Sequence, residues 1–235
     1  MTETLAEMLY GAATLIIPLI LAIVFHEVAH GWVALALGDP TAKEQRRLSL
    51  NPIRHIDPIG TIVLPGMLKL IGAPVFGWAK PVPVDKERLR NPRFGMMAVA
   101  AAGPGTNFVL AALGAVALGL LLRLYSDPGD VPGAVAQFAS ANLNNFIMIN
   151  IFLGIFNLLP VPPFDGSHIV EGLLPRRAAA VFERLRPLGF PLLLILLLVI
   201  PWLFPQAGVI ERLVLPPVQW TGAQFFGLVE AVAGR

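Results

Sequence analysis

Residues Leu19 to Leu37 read LILAIVFHEVAHGWVALAL, and apart from His26, Glu27 and His30 every residue in the run is apolar or glycine. About 20 mainly apolar residues are what a helix needs to cross a bilayer. Ionisable groups in such a helix are costly and by default mark a functional site. His26-Glu27-Val28-Ala29-His30 has the form H-E-x-x-H. On a helix, residues four apart differ by about 40° in azimuth and one turn in height, so both imidazoles reach one metal ion from one face. The glutamate stands beside the ion, where it can take a proton from a water. The plainer alternative, polar groups bonded only to neighbouring helices, needs a strong compensating partner for all three. Zinc supplies one.

Composition supports a membrane setting. Of 235 residues, 56% are hydrophobic and 14% charged, and the mean hydropathy is +0.72. Soluble domains have about 45–50% apolar and roughly 25% charged residues. The net charge of +2 gives no case for a nucleic-acid partner. Cysteine is absent, so any metal is held by nitrogen and oxygen ligands. Residues 1–8 carry two glutamates and no Lys or Arg, unlike the basic start of a signal peptide, so the first apolar run is expected to be retained.

Four stretches qualify as spans: 12–37, 94–122, 142–159 and 188–204. A weaker one, 209–232, contains Glu211, Arg212 and Pro216–Pro217 and either crosses or lies at the interface. The expected architecture is therefore an all-α polytopic membrane protein, a bundle of about four to six transmembrane helices. It forms one membrane-embedded domain over 1–235, with a core at about 12–174 and C-terminal helices at 188–235. Ten Lys or Arg lie between Gly38 and Arg93, none between Tyr125 and Ala141, and four more at Arg176, Arg177, Arg184 and Arg186. This rich, empty, rich alternation orients the first span from outside to inside and puts both basic connections in the cytoplasm. Residues 51–84 are apolar but crowded with proline and glycine. They predict a re-entrant or interfacial β-like segment, with extended pieces at Gly60–Leu64 and Val75–Trp78.

A catalytic zinc needs a third protein ligand and one open position. The candidates are His55, Asp57, His168 and Asp165. Asp165 ends NLLPVPPFD, where proline and glycine stop the third span and can turn a carboxylate back into the bundle. His30 lies roughly 10–12 Å from the cytoplasmic end of its helix, so the two can meet at similar depth.

HEVAHGW, GPGTN at Gly103–Asn107 and NLLPVPPFDG at Asn157–Gly166 together resemble the site-2 protease family of intramembrane zinc metalloproteases, peptidase family M50. The resemblance runs from about Pro18 to Leu174. It implies that Asp165 is the third ligand of a single zinc ion beside His26 and His30. It implies a substrate-binding role for Asn157, and cleavage of transmembrane proteins near the cytosolic side of a bacterial or archaeal cell membrane. The chain looks like a minimal form with no room for a PDZ or CBS domain.

The expected activity is thus a zinc-dependent endopeptidase acting on transmembrane segments, its site opening toward the cytoplasm and Glu27 moving the proton. A helical substrate must unwind, and residues Gly60–Trp78 could offer an edge strand to pair with it. Asn107 is read as a substrate contact or a helix-packing residue. His168 reads as interfacial, and His55 and Asp57 as structural. Asn142, Asn144, Asn145 and Asn150 are expected to face the bundle or the outer interface. Two other classes compete: a metal or proton transporter, in which Glu27 has no ligand role, and an inactive scaffold that binds transmembrane segments.

Overall fold

The computed structural model describes residues 4–70, 77–125, 132–204, 206 and 208–234. They form helices joined by irregular segments, with no strand among the described residues. Among the described residues three helices are long and apolar enough to cross a membrane: α1 (Leu5–Ala36), α4 (Pro92–Arg123) and α5 (Ala134–Asn157). Short helices α2 (Thr41–Glu44) and α3 (Leu64–Leu70) lie between the first two. After α5 come α6 (Asp165–Leu173), α7 (Arg176–Glu183), α8 (Gly189–Leu194), α9 (Ile200–Leu203), α10 (Val209–Leu213) and α11 (Leu215–Ala233). The all-α polytopic bundle agrees with the expectation.

Local sequence fixes where the long helices begin. The Thr4 hydroxyl accepts the Glu7 N–H at 3.3 Å, and the Glu7 carboxylate accepts the Thr4 N–H at 2.8 Å, a reciprocal cap. Asn91 caps α4 by accepting the Phe94 N–H, with Pro92 at the first helical position. Pro18 and Pro104 lie inside α1 and α4, as bundled membrane helices allow.

Small residues bring α4 close to its neighbours, since helices in lipid associate mainly by close packing. A Cβ on Gly114 would stand 3.0 Å from Phe146 of α5, and one on Gly119 would stand 2.7 Å from Val232 of α11. The buried core joins Ala111, Ala115 and Leu118 of α4 to Ile147 and Ile151 of α5 and Val218 and Val229 of α11. Helix α11 is therefore packed against the bundle. Residues 188–204, expected as a continuous span, are helical in short successive segments with a π-helical turn at Ile195–Val199. Pro201 offers no N–H to that turn, which breaks the regular ladder.

The β-like expectation for 51–84 is corrected. Residues Pro58–Val63 are π-helical and run directly into α3, so Gly60–Leu64 is helical rather than extended. The cause is local. Asp57 accepts the N–H groups of Ile59 and Gly60 at 3.0 and 2.7 Å, and Pro58 occupies the first helical position. Residues 75–76 of the second expected piece lie outside the described residues. No edge strand for a substrate is present among the described residues of 60–78.

Residues 79–85 form an irregular strap back across α1. Asp39, fully buried just past α1, accepts the Thr41 N–H at 2.9 Å and the Asp85 N–H at 2.7 Å. Burial opposes its ionisation, but the Thr41 hydroxyl and amide and the Asp85 amide outweigh burial and hold the carboxyl below its usual value of 3.8. A folded-state pKa below the unfolded one gives stability that is present above the unfolded value and fades as pH falls through the folded one. Wild-type thermal stability in detergent should therefore fall below about pH 4, and Asp39→Asn should lose part of that slope. Equal slopes for the two proteins would count against Asp39 as a pH-dependent anchor.

Candidate metal centre

His26 and His30 lie one turn apart on the buried face of α1. The Nδ1–H of His26 donates to the Asn107 side-chain oxygen at 2.6 Å, and the Nδ1–H of His30 donates to the Val99 carbonyl at 2.7 Å. Backbone carbonyls fix these directions. The Asn150 amide donates to the Phe146 carbonyl, the Asn107 amide donates to Asn150 and to the Ala22 carbonyl, and so the Asn107 oxygen faces His26. Neutral rings that give up their Nδ1 protons this way carry a lone pair on Nε2. Both Nε2 atoms point to one spot, 3.0 Å apart.

Asp165 meets them there. Its Oδ2 lies 3.2 Å from His26 Nε2 and 3.3 Å from His30 Nε2. The turn that brings it back is built from NLLPVPPFDG. Phe164 stacks edge-on against Phe156 at 4.6 Å, and α6 starts with Asp165 at its first position. A Cβ on Gly166 would stand 2.2 Å from the Leu158 carbonyl oxygen, so only glycine lets α6 begin against the end of α5.

Three lone-pair atoms facing one another at this range repel, and the buried Asp165 Oδ2 has no hydrogen-bond donor. A cation removes both costs. Ligand atoms on one face of a tetrahedral zinc site at 2.0–2.1 Å are separated by about 3.3 Å, which the observed 3.0, 3.2 and 3.3 Å approach. All three donor atoms lie within 4.8 Å of one another, and they are the metal-capable group found among the described residues. Gly103 makes room for the rings: a Cβ there would stand 2.4 Å from His30 Nε2 and 2.5 Å from His26 Cε1.

Glu27 Oε2 accepts the Val82 N–H at 2.8 Å, which leaves Oε1 without that bond.

The other candidates do not join the centre. His55 is buried and its Nε2–H donates to the Ser49 carbonyl at 2.7 Å, while Asp57 caps the helix that follows it. His168 stands 3.4 Å from Arg186; burial, then Arg186, push it below the ordinary imidazole value. Glu171 of the same helix is paired with Lys86 and Arg186. Asn157, half-buried at the end of α5, donates to the Leu153 carbonyl at 2.9 Å. Asn107 is fully buried, its oxygen bonded to His26 and its amide to Asn150 and the Ala22 carbonyl. Asn145 reaches the Thr14 carbonyl on α1. No local spacing in the sequence signals the pairing of Asn107 with Asn150, which joins two helices 43 residues apart.

Comparison with known proteins agrees with a metal centre of this kind. Residues 127–200 match the model of peptidase family M50. The chain is 39% identical over 182 residues to "Putative zinc metalloprotease YwhC" of Bacillus subtilis, covering 77% of this chain and 78% of that one. This chain belongs to peptidase family M50. It is also 28% identical to "Putative zinc metalloprotease Rip2" of Mycolicibacterium smegmatis, over 83% of this chain and 74% of the relative. A zinc metalloprotease of Methanocaldococcus jannaschii is 26% identical, over 70% of this chain and 35% of its own. No solved structure matches the chain. As an M50 member with three membrane-length helices, the chain is a membrane metalloprotease, and its relatives' names imply zinc.

Proposed function

We propose that the protein is a zinc-dependent intramembrane endopeptidase that cuts transmembrane segments of other membrane proteins close to the cytoplasmic face. The observation that carries this reading is the convergence of His26 Nε2, His30 Nε2 and Asp165 Oδ2 beside Glu27, on a helix long enough to cross the bilayer. The family supports it, and the charge alternation of the connections supports a cytoplasmic opening. His30 lies six residues before the end of α1, about 9 Å from the helix end.

One zinc ion held by His26, His30 and Asp165 would polarise the scissile carbonyl and acidify a water. Asn107 and the Val99 carbonyl keep each imidazole in the tautomer whose Nε2 lone pair faces that ion. Glu27 takes a proton at its free Oε1 and passes it to the leaving amine. Asn157 is proposed to contact the substrate backbone from the end of α5. The substrates are single-span or polytopic membrane proteins whose helices unwind locally.

Reconstituted protein should cut a panel of single-span test proteins within the apolar segment, near its cytosolic end. Chelation should stop cleavage and zinc should restore it, with sites mapped by mass spectrometry. Cleavage confined to extramembrane loops, or indifferent to chelation, would overturn the reading.

A further inference from the structure

The proposed proton carrier, Glu27, is held from outside its own helix, and the hold traces back to a buried arginine. Val82 N–H donates to Glu27 Oε2 at 2.8 Å. The two carbonyls just before that N–H, those of Lys80 and Pro81, accept from Arg47 Nη2 at 2.7 and 3.3 Å. Arg47 is 8% exposed, and its Nε is buried without a partner. Its inward aim has a local cause. Arg46 takes a left-handed conformation with φ of 54°, which L side chains seldom adopt, and the Arg47 N–H closes onto the Ala42 carbonyl at 2.8 Å. The turn after α2 is thereby bent so that the guanidinium enters the protein.

Burying a guanidinium is costly and is offset only by the hydrogen bonds its donors make. Here they fix the strap where it crosses α1. Pro81 and Pro83 flank Val82 and supply no N–H, so Val82 is the donor at the crossing. Val82 is also packed close to Gly31, where a Cβ would stand 2.9 Å from its side chain. The strap's ends are tied separately, by the Lys80 N–H on the His55 carbonyl at 2.9 Å and by the Asp85 N–H on Asp39.

We propose that Arg47 is a positioning residue for Glu27: through the Lys80 and Pro81 carbonyls it sets the Val82 N–H, which holds one carboxylate oxygen and aims the other at the metal centre. The proposal rests on the peptidase reading, with Glu27 as its proton carrier. It assigns a task in turnover to a residue that the sequence presents only as one of several loop cations.

The test uses the full-length protein in liposomes and a single-span test protein that the wild type cuts, with kcat, KM and zinc content measured together. Arg47→Met keeps length and burial but removes the donors. It should lower kcat about 10- to 100-fold, the scale expected for a misplaced catalytic group, with KM and zinc content unchanged. Arg47→Lys, which can still reach one carbonyl, should recover part of the loss. Val82→Pro removes the N–H in a stretch already extended between prolines and should match Arg47→Met. Because both act through one bond, the double variant should be no slower than the worse single one. If Arg47→Met fails to fold, Arg47→Lys and Val82→Pro decide together, and a kcat for Arg47→Lys equal to wild type would overturn the role of Arg47. A kcat within twofold of wild type for either, losses that multiply in the double variant, or a rate that falls only in step with zinc would overturn the positioning role. Absence of any wild-type cleavage would sink the peptidase reading and this proposal with it. Normal wild-type cleavage with an unimpaired Arg47→Met would sink this proposal alone.

Discussion

Replacing Glu27 by glutamine should reduce cleavage of a single-span substrate by about 10²- to 10⁴-fold, the usual contribution of a general acid–base group, while zinc content stays at the wild-type level. The side chains are nearly isosteric. A glutamine carbonyl can still accept the Val82 N–H that Oε2 accepts at 2.8 Å, so the strap keeps its place. None of the three metal-facing atoms belongs to residue 27. What the amide cannot do is accept a proton from water and return it to the amine. Initial rates and metal analysis on the same preparations separate the two effects. A rate within tenfold of wild type would remove Glu27 from the mechanism. Loss of zinc along with activity would recast it as part of the metal-binding structure.

The parts of this protein that were legible in sequence are those with short-range causes. His26 and His30 share a face because four residues nearly close one helical turn, and their apolar flanks declare a membrane helix. The return of Asp165 toward them was legible as a possibility, since a Pro- and Gly-rich stretch must end α5, though His55, Asp57 and His168 stayed open on residue chemistry alone. Gly60–Leu64 reads as extended because it is set among Pro58, Gly60, Pro65 and Gly66, residues that ordinarily break helices. The same letters include Asp57-Pro58, a cap followed by the residue best suited to a first helical turn, and the structure follows that signal. The support of the histidines was not legible. Asn107 meets His26 across 81 residues and Asn150 across 43, contacts that exist only once α1, α4 and α5 are packed. The Arg47 clamp on the strap was hidden for the same reason, as arginine in a connecting loop ordinarily reads as topology.

A single methyl group at Gly103 should empty the metal centre. The ideal Cβ position there lies 2.4 Å from His30 Nε2, 2.5 Å from His30 Cε1 and 2.5 Å from His26 Cε1. Non-bonded carbon and nitrogen do not approach so closely, so both rings must move. Each ring is also tethered at Nδ1, to Asn107 and to the Val99 carbonyl, and cannot rotate away without breaking a buried bond. Displacing the groups that orient metal ligands typically costs 10- to 100-fold in affinity, and here the ligand atoms themselves are struck. Gly103→Ala should therefore purify with little zinc and cut no substrate. The backbone predicts the opposite sign for stability, because alanine is preferred over glycine inside a helix by about 0.5–1 kcal/mol. Gly105, two residues on in the same helix, is the control: nothing lies within 4 Å of a Cβ there, so Gly105→Ala should retain zinc and activity. Equal zinc content in the two variants would show that the imidazoles are not held against α4 as described, and the geometry of the proposed site would have to be redrawn.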